Sequence, residues 1–161
     1  MKLCAEVVGS GRSEHNFVQL TDDHIERLLE IERVSFINPW SAADFCCVVG
    51  DRSARCVGLV YREELIGYAI GYVVGREFHL ANFAVVPKHR RCGWASALLQ
   101  HIIAQVCCRG CRRCTLEVRL SNRGAVDFYA RHGFYQIGVR PHYYENPPEN
   151  ALIMQRRIEM V

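Results

Sequence analysis

The segment Pro87-Lys88-His89-Arg90-Arg91-Cys92-Gly93 ends a run of valines and crowds four basic side chains against one glycine, directly before an apolar periodic stretch. Like charges packed this tightly repel one another, so the turn is expected to hold an anion. The first N–H groups of a helix lack internal partners, the macrodipole puts partial positive charge there, and Gly93 lets a phosphate approach the backbone. The side chains would raise the local potential while the amides make the specific bonds. A solvated charge run is the usual alternative, but the position beside a Gly at a helix start favours the anion. The spacing is neither GxxxxGK followed by Ser or Thr nor GxGxxG, which argues against ATP and dinucleotides.

A second run, Cys107-Cys108-Arg109-Gly110-Cys111-Arg112-Arg113-Cys114, puts Cys108, Cys111 and Cys114 at a spacing that can open an iron–sulfur motif. The fourth Cys and its Pro are missing, and no second Cys/His pair lies nearby at zinc spacing. The segment passes from a helix end through a turn into a strand, so the sulfurs should diverge. No bound metal is expected, and a metal or redox sensor built on this cluster stands as the rival reading.

The elements that must position the basic turn follow from periodicity. Residues 16–20 read as a strand. Thr21 then caps a helix whose Ile25, Leu28, Leu29 and Val34 share one face, and Ser41 caps a short helix through Phe45. Residues 54–62 and 64–74 read as a hairpin, and a third strand runs over 77–87. From Arg91 onward Ala95, Leu98, Leu99, Ile102, Ile103 and Val106 mark a helix that stops near Gly110. A strand over 114–120, a helix capped by Ser121 or Asn122 and closed at Gly133, and a final antiparallel pair complete the order β α α β β β α β α β β. The expectation is one α/β domain over residues 1–161, a mixed sheet of about seven strands flanked by about four helices.

The composition agrees with a globular chain: 161 residues, half of them hydrophobic, 23% charged and a net charge of +3. The charge is spread along the chain, which argues against a nucleic-acid partner. The N-terminal apolar run is broken by Glu6, too weak for a signal peptide and too short for a membrane span, so a cytoplasmic protein is expected. Nine clumped cysteines without an export signal read as reduced thiols, several of them filling the core.

The turn Arg90-Arg91-Cys92-Gly93-Trp94-Ala95 resembles the R/Q-x-x-G-x-G/A pyrophosphate loop of the GNAT acetyltransferases. Residues 83–99 with 116–154, and the Pro39-Trp40-Ser41 loop after the first helix, resemble the bacterial ribosomal-protein-alanine N-acetyltransferases of the RimI type. The likeness runs from about Leu20 to Ile158 and leaves out an N-terminal extension of about fifteen residues. Ala95 fills the last small-residue position, and Cys92 and Trp94 sit at variable ones. The resemblance implies a GNAT fold, acetyl-CoA as cosubstrate and the N-terminal alanine of a small-subunit ribosomal protein as acceptor. The same chemistry on other protein N-termini or on a small amine is the alternative.

Residue by residue, the resemblance implies Glu117 as general base and Tyr129 as general acid toward the coenzyme sulfur. It implies Phe83, Ala84 and Val85 as the backbone edge for the acetyl and pantetheine groups, with the Val85 amide as oxyanion donor. Arg90, Arg91, Cys92, Gly93, Trp94, Ala95 and Ser96 would hold the pyrophosphate, and Asn122 would hydrogen-bond the coenzyme. Pro39, Trp40, Tyr143 and Tyr144 would line the acceptor peptide. Each has a plainer role as alternative: Glu117 an ion-pair partner, Tyr129 an amphipathic core residue, Asn122 a helix cap, and Trp40 with the two tyrosines a cover for the core.

Overall fold

The computed structural model describes residues 14–159. Residues 1–13, which include most of the expected N-terminal extension and Cys4, lie outside the described residues. Seven strands form one sheet: β1 (His15–Gln19), β2 (Ala54–Tyr61), β3 (Glu64–Val74), β4 (Glu77–Val85), β5 (Arg113–Arg119), β6 (Tyr135–Glu145) and β7 (Pro148–Arg157). Their order is β1-β2-β3-β4-β5-β7-β6. All neighbours are antiparallel except β4 and β5, so the sheet is mixed, as the sequence predicts.

The parallel junction is the feature that matters for function. β4 and β5 pair only through Glu77↔Arg113, Phe78↔Cys114 and His79↔Thr115, and then separate. The cause lies on the other side of β4. Opposite Ile70 and Gly71 the register with β3 slips past Ala81, and such a bulge bends its strand. Gly71 is required there, because a Cβ on it would stand 2.3 Å from the His79 carbonyl oxygen and 2.5 Å from the Phe78 ring. The sheet therefore opens as a cleft below Leu80.

Four α-helices accompany the sheet: α1 (Ile25–Ser35), α2 (Ala42–Val49), α3 (Trp94–Cys108) and α4 (Arg123–Arg131). Ser41 caps α2 as expected, its hydroxyl accepting from the Asp44 N–H at 3.3 Å. Asn122 caps α4, accepting from the Ala125 N–H at 3.1 Å. Of the six positions expected along the buried face of α3, Leu98, Leu99, Ile102, Ile103 and Val106 are buried and Ala95 is half-buried.

Two expectations are corrected. Val34 is 59% exposed, while Ile31 and Glu32 occupy the buried face of α1. A 3-10 turn, Asp22–His24, separates Thr21 from α1, and Val34, nine residues after Ile25 within the same helix, stands about half a turn round from it at about 100° per residue and so faces outward. α3 starts at Trp94 rather than Arg91, because Arg91 and Gly93 both take left-handed backbone angles, with φ of 63° and 85°, that no α-helix can contain.

Cys56, Cys111 and Cys114 are buried in the core, and every described cysteine is a free thiol. Cys108 is exposed, so the run 107–114 splits between surface and interior. Among the described residues no group of three His, Cys, Asp or Glu is arranged to hold a metal ion. None of the described helices is long and apolar enough to cross a membrane.

Burial raises the Cys56 thiol to about 11 and lifts Cys114, Tyr68 and Tyr129 well above their ordinary values. In the unfolded chain these groups lose protons from about pH 8.5 to 10, while the folded chain keeps them. The unfolded state then binds fewer protons, so stability is full below that range and falls as pH rises toward the folded values. Urea titrations from pH 7.5 to 10.5 should show a falling midpoint, each such group removing up to about 1.4 kcal/mol per pH unit once its unfolded form is ionised.

Candidate active site

Two cavities occupy the cleft and meet inside it. One, of about 460 Å³, lies beside the N-terminus of α3 and is lined by Phe83, Ala84, Val85, Arg90, Arg91 and Gly93, followed by Ala95 and Ser96. The other, of about 360 Å³, lies between β4 and β5 and is lined by Trp40, Glu117, Tyr143 and Tyr144. Phe36, Phe83, Asn122, Ala125 and Tyr129 border both.

The basic turn is built less as a cluster of free cations than its composition suggests. Arg90 folds back, its Nε donating to the Val85 carbonyl at 2.8 Å, and Lys88 pairs with Glu64 at 3.0 Å. What faces the larger cavity is backbone. The left-handed residues Arg91 and Gly93 sit directly before the unpartnered N–H groups of α3, the alternation that forms an anion-binding nest. Nothing lies within 4 Å of where a Gly93 Cβ would stand, so the space above the turn is open to a ligand oxygen.

Cys92 and Trp94 do not line this cavity. The Cys92 thiol reaches the Arg90 carbonyl at 3.4 Å, and the Trp94 ring turns away to Tyr61, 5.0 Å distant, and His15, 5.1 Å distant. These two residues can offer a ligand their backbone but not their side chains.

Tyr129 is held by Phe128, Phe134 and Phe83, with ring centroids 5.3, 5.4 and 6.3 Å away. It is 8% exposed, and burial pushes its phenol well above the ordinary value, so it carries a proton throughout the neutral range. Glu117 lies midway along β5 with its side chain 8% exposed. Its Oε2 is 3.2 Å from His79 Nε2 and its Oε1 is 3.4 Å from Arg140 Nη2. The cleft thus has a buried proton donor at the junction and a carboxyl group on the narrower side.

The walls of the smaller cavity are pinned from two directions. Arg119 pairs with Glu149 at 3.2 Å, donates to the carbonyls of Asn146 and Pro147, and sets its guanidinium 4.0 Å from the Tyr144 ring centroid. Asn38 Nδ2 donates to the Asn146 carbonyl at 2.7 Å, tying the loop between α1 and α2 to the turn between β6 and β7. Trp40 is fixed from beneath: its N–H donates to Glu32 Oε2 at 2.8 Å, and the other Glu32 oxygen accepts from Tyr68 and from Asn82, the latter at 2.5 Å.

Of the sequence-predicted acceptor residues, Trp40, Tyr143 and Tyr144 border the cavity, and Pro39 does not. Asn122 caps α4 and also borders both cavities, so its two readings hold together. Missed from the sequence are Glu32, Phe36, Asn38, His79 and Asn82. Gly71 carried an unused signal for the bend that exposes His79, since an isolated glycine inside a strand pattern marks a bulge or a close backbone approach.

A sheet parted between two parallel strands, with a helix N-terminus opening on one side of the gap and a carboxyl group and a phenol lining it, has the architecture of the GNAT class of N-acetyltransferase. The family model described as Acetyltransferase (GNAT) family matches residues 24–134. Ribosomal protein bS18-alanine N-acetyltransferase of Haemophilus influenzae is 36% identical over 132 residues, covering 80% of this chain and 89% of the relative. Its counterpart from Escherichia coli K12 is also 36% identical, over 81% and 88%.

The crystal structure of the E. coli ribosomal-protein-S18-alanine N-acetyltransferase superposes with a TM-score of 0.84 at 31% identity, covering 91% of this chain and 96% of that one. An N-acetyltransferase from Thermoplasma acidophilum solved with coenzyme A shares the fold, with a TM-score of 0.76 at 16% identity over 89% and 98%. The chain belongs to the GNAT acetyltransferase family, within its ribosomal-protein-alanine N-acetyltransferase branch, and is an acyltransferase. Members of this family use acetyl-CoA.

Proposed function

We propose that the chain transfers the acetyl group of acetyl-CoA to a protein N-terminus, the N-terminal alanine of a small-subunit ribosomal protein. The observation that carries this reading is the meeting of two cavities at Tyr129, one floored by a helix N-terminus and the other flanked by Glu117. The substrates of the bS18-alanine N-acetyltransferases named above support the choice of acceptor. The reaction belongs in the cytoplasm, where ribosomal proteins are made, and one domain carries it out.

Acetyl-CoA supplies an activated thioester. The amides of residues 91–96 hold its pyrophosphate, and the edge of β4 from Phe83 to Val85 carries its pantetheine and acetyl groups, with the Val85 N–H as oxyanion donor. Asn122 contributes a further hydrogen bond. The acceptor amine enters beside Trp40, Tyr143 and Tyr144 and passes its proton to Glu117. An α-amino group titrates near ~8, against ~10.4 for Lys, so a carboxylate suffices for an N-terminal acceptor. Tyr129 protonates the departing thiolate.

The test is a panel of peptides differing only in the first residue, together with a polyamine, each incubated with acetyl-CoA. The Ala-terminated peptide is expected to be acetylated at its α-amine with the highest kcat/KM. Rapid transfer to the polyamine with none to the Ala peptide would overturn the assigned acceptor.

A further inference from the structure

We propose that the side chains of Arg131 and Arg91 bind the 3′-phosphate of coenzyme A, so that the protein discriminates coenzyme A from its 3′-dephospho form. The proposal rests on the coenzyme reading of the larger cavity and extends it to the part of the ligand beyond the diphosphate.

The charge lining the larger cavity is of one sign. Arg90, Arg91 and Arg131 border it, and no aspartate or glutamate stands among its described lining residues. The smaller cavity differs, since Glu32 and Glu117 line it together with Arg119 and His79. Of the three arginines, Arg90 is engaged: its Nε donates to the Val85 carbonyl at 2.8 Å and its Nη2 to Ser35 Oγ at 3.4 Å. Arg91 and Arg131 are exposed, and neither has a hydrogen bond or ion pair among the described residues. Asp127 stands four residues before Arg131 on α4 and is not paired with it. Two guanidiniums therefore face one cavity with no anion to answer them.

The period of α4 brings Arg131 there. Asn122, Ala125 and Tyr129 border both cavities, whereas Gly124, Phe128 and Arg131 border the larger one alone. Those three fall at i, i+4 and i+7, a single stripe about 10 Å long at about 1.5 Å per residue. Across the cavity stands the nest at the start of α3. Arg91 takes part in that nest through its left-handed backbone, which leaves its side chain free for a second, neighbouring anion.

Coenzyme A supplies such an anion. Its ribose carries the diphosphate on the 5′ oxygen and a phosphate monoester on the 3′ oxygen, so the second charge lies one sugar away from the first. A phosphate monoester holds a charge of about −1.5 to −2 at pH 7, which two guanidiniums match. Each guanidinium can also present a parallel pair of N–H groups to phosphate oxygens.

The test is calorimetry of the full chain with coenzyme A and with 3′-dephospho-coenzyme A, ligands that differ only in that phosphate. The unaltered protein is expected to bind coenzyme A about tenfold or more tightly than the dephospho form. Arg131→Gln should weaken coenzyme A about fivefold or more while leaving the dephospho form within about twofold, and Arg131→Lys should fall between. The double variant Arg91→Gln with Arg131→Gln should bind both ligands alike. Equal affinity of the unaltered protein for the two ligands would overturn the proposal. So would an equal loss for both in Arg131→Gln, which would put that side chain on the diphosphate or in support of the fold. Binding of neither ligand would overturn the coenzyme reading itself, a result distinct from binding both alike.

Discussion

Glu117→Gln is expected to lower kcat about 10²- to 10³-fold while leaving the dissociation constant of acetyl-CoA within about twofold of wild type. The amide has nearly the volume of the carboxyl group and can still accept one hydrogen bond, so the cleft keeps its shape, but the group no longer takes a proton. Binding is spared because Glu117 borders only the smaller cavity, while the turn at residues 91–96 borders the larger. Single-turnover rates with an Ala-terminated peptide measure the first quantity and calorimetry with acetyl-CoA the second. A weakened coenzyme with an unchanged rate would mean that the carboxyl group shapes the cleft rather than serving the reaction. Tyr129 should not contribute a falling limb to the rate profile at moderately alkaline pH, since burial keeps its phenol protonated there.

Groups that act through their own local sequence were the legible ones. The alternation of β2, β3 and β4, the apolar face of α3, and the caps Ser41 and Asn122 depend on neighbours within about four residues, and all stand where the sequence puts them. The basic turn was legible as a place and misleading as chemistry. Charge and glycine mark an anion site, yet Arg90 folds back on the nearby Val85 carbonyl and Lys88 is consumed by Glu64, a residue that only folding brings near.

His79, Arg140 and Glu32 were illegible for the same reason. His79 meets Glu117 because the β4–β5 register sets it against Thr115, and Arg140 reaches the same carboxyl group from β6, across the antiparallel pairing of β7 with both strands. No period of 2 or 3.6 encodes such meetings. Val34 failed differently: it lies nine residues after Ile25 within α1, about half a turn round the helix at about 100° per residue, so a stricter count of the 3.6 period already puts it on the outer face.

Glu32 is the residue whose loss the fold should feel most. It is fully buried, yet it comes from an amphipathic helix and sits below the smaller cavity, a position that packing alone would give to an apolar side chain. Its carboxyl oxygens collect the Trp40 N–H, the Asn82 amide and the Tyr68 hydroxyl, and so join α1, the loop before α2, β3 and β4 at one point. Glu32→Ala strands two donors, the Trp40 N–H and the Asn82 amide, each worth about 1–3 kcal/mol when left unpaired, while the Tyr68 hydroxyl keeps Asn82 Oδ1 as acceptor at 3.2 Å and water entering from the cavity recovers part of the loss.

A net loss of about 3 kcal/mol is therefore expected, read as a fall in Tm of about 6–12 °C for a chain of this size. Because the Trp40 backbone loses its anchor while the α3 turn is untouched, the surviving folded enzyme should show a raised KM for the peptide and an unchanged one for acetyl-CoA. Glu32→Gln should fall between, since its amide offers one accepting oxygen but turns a second donor toward Trp40 or Asn82. A Tm within 2 °C of wild type for Glu32→Ala would mean that solvent satisfies these donors as well as the carboxyl group does, and the cavity wall would then owe its position to the Trp40 ring packing on Phe45, 5.5 Å away.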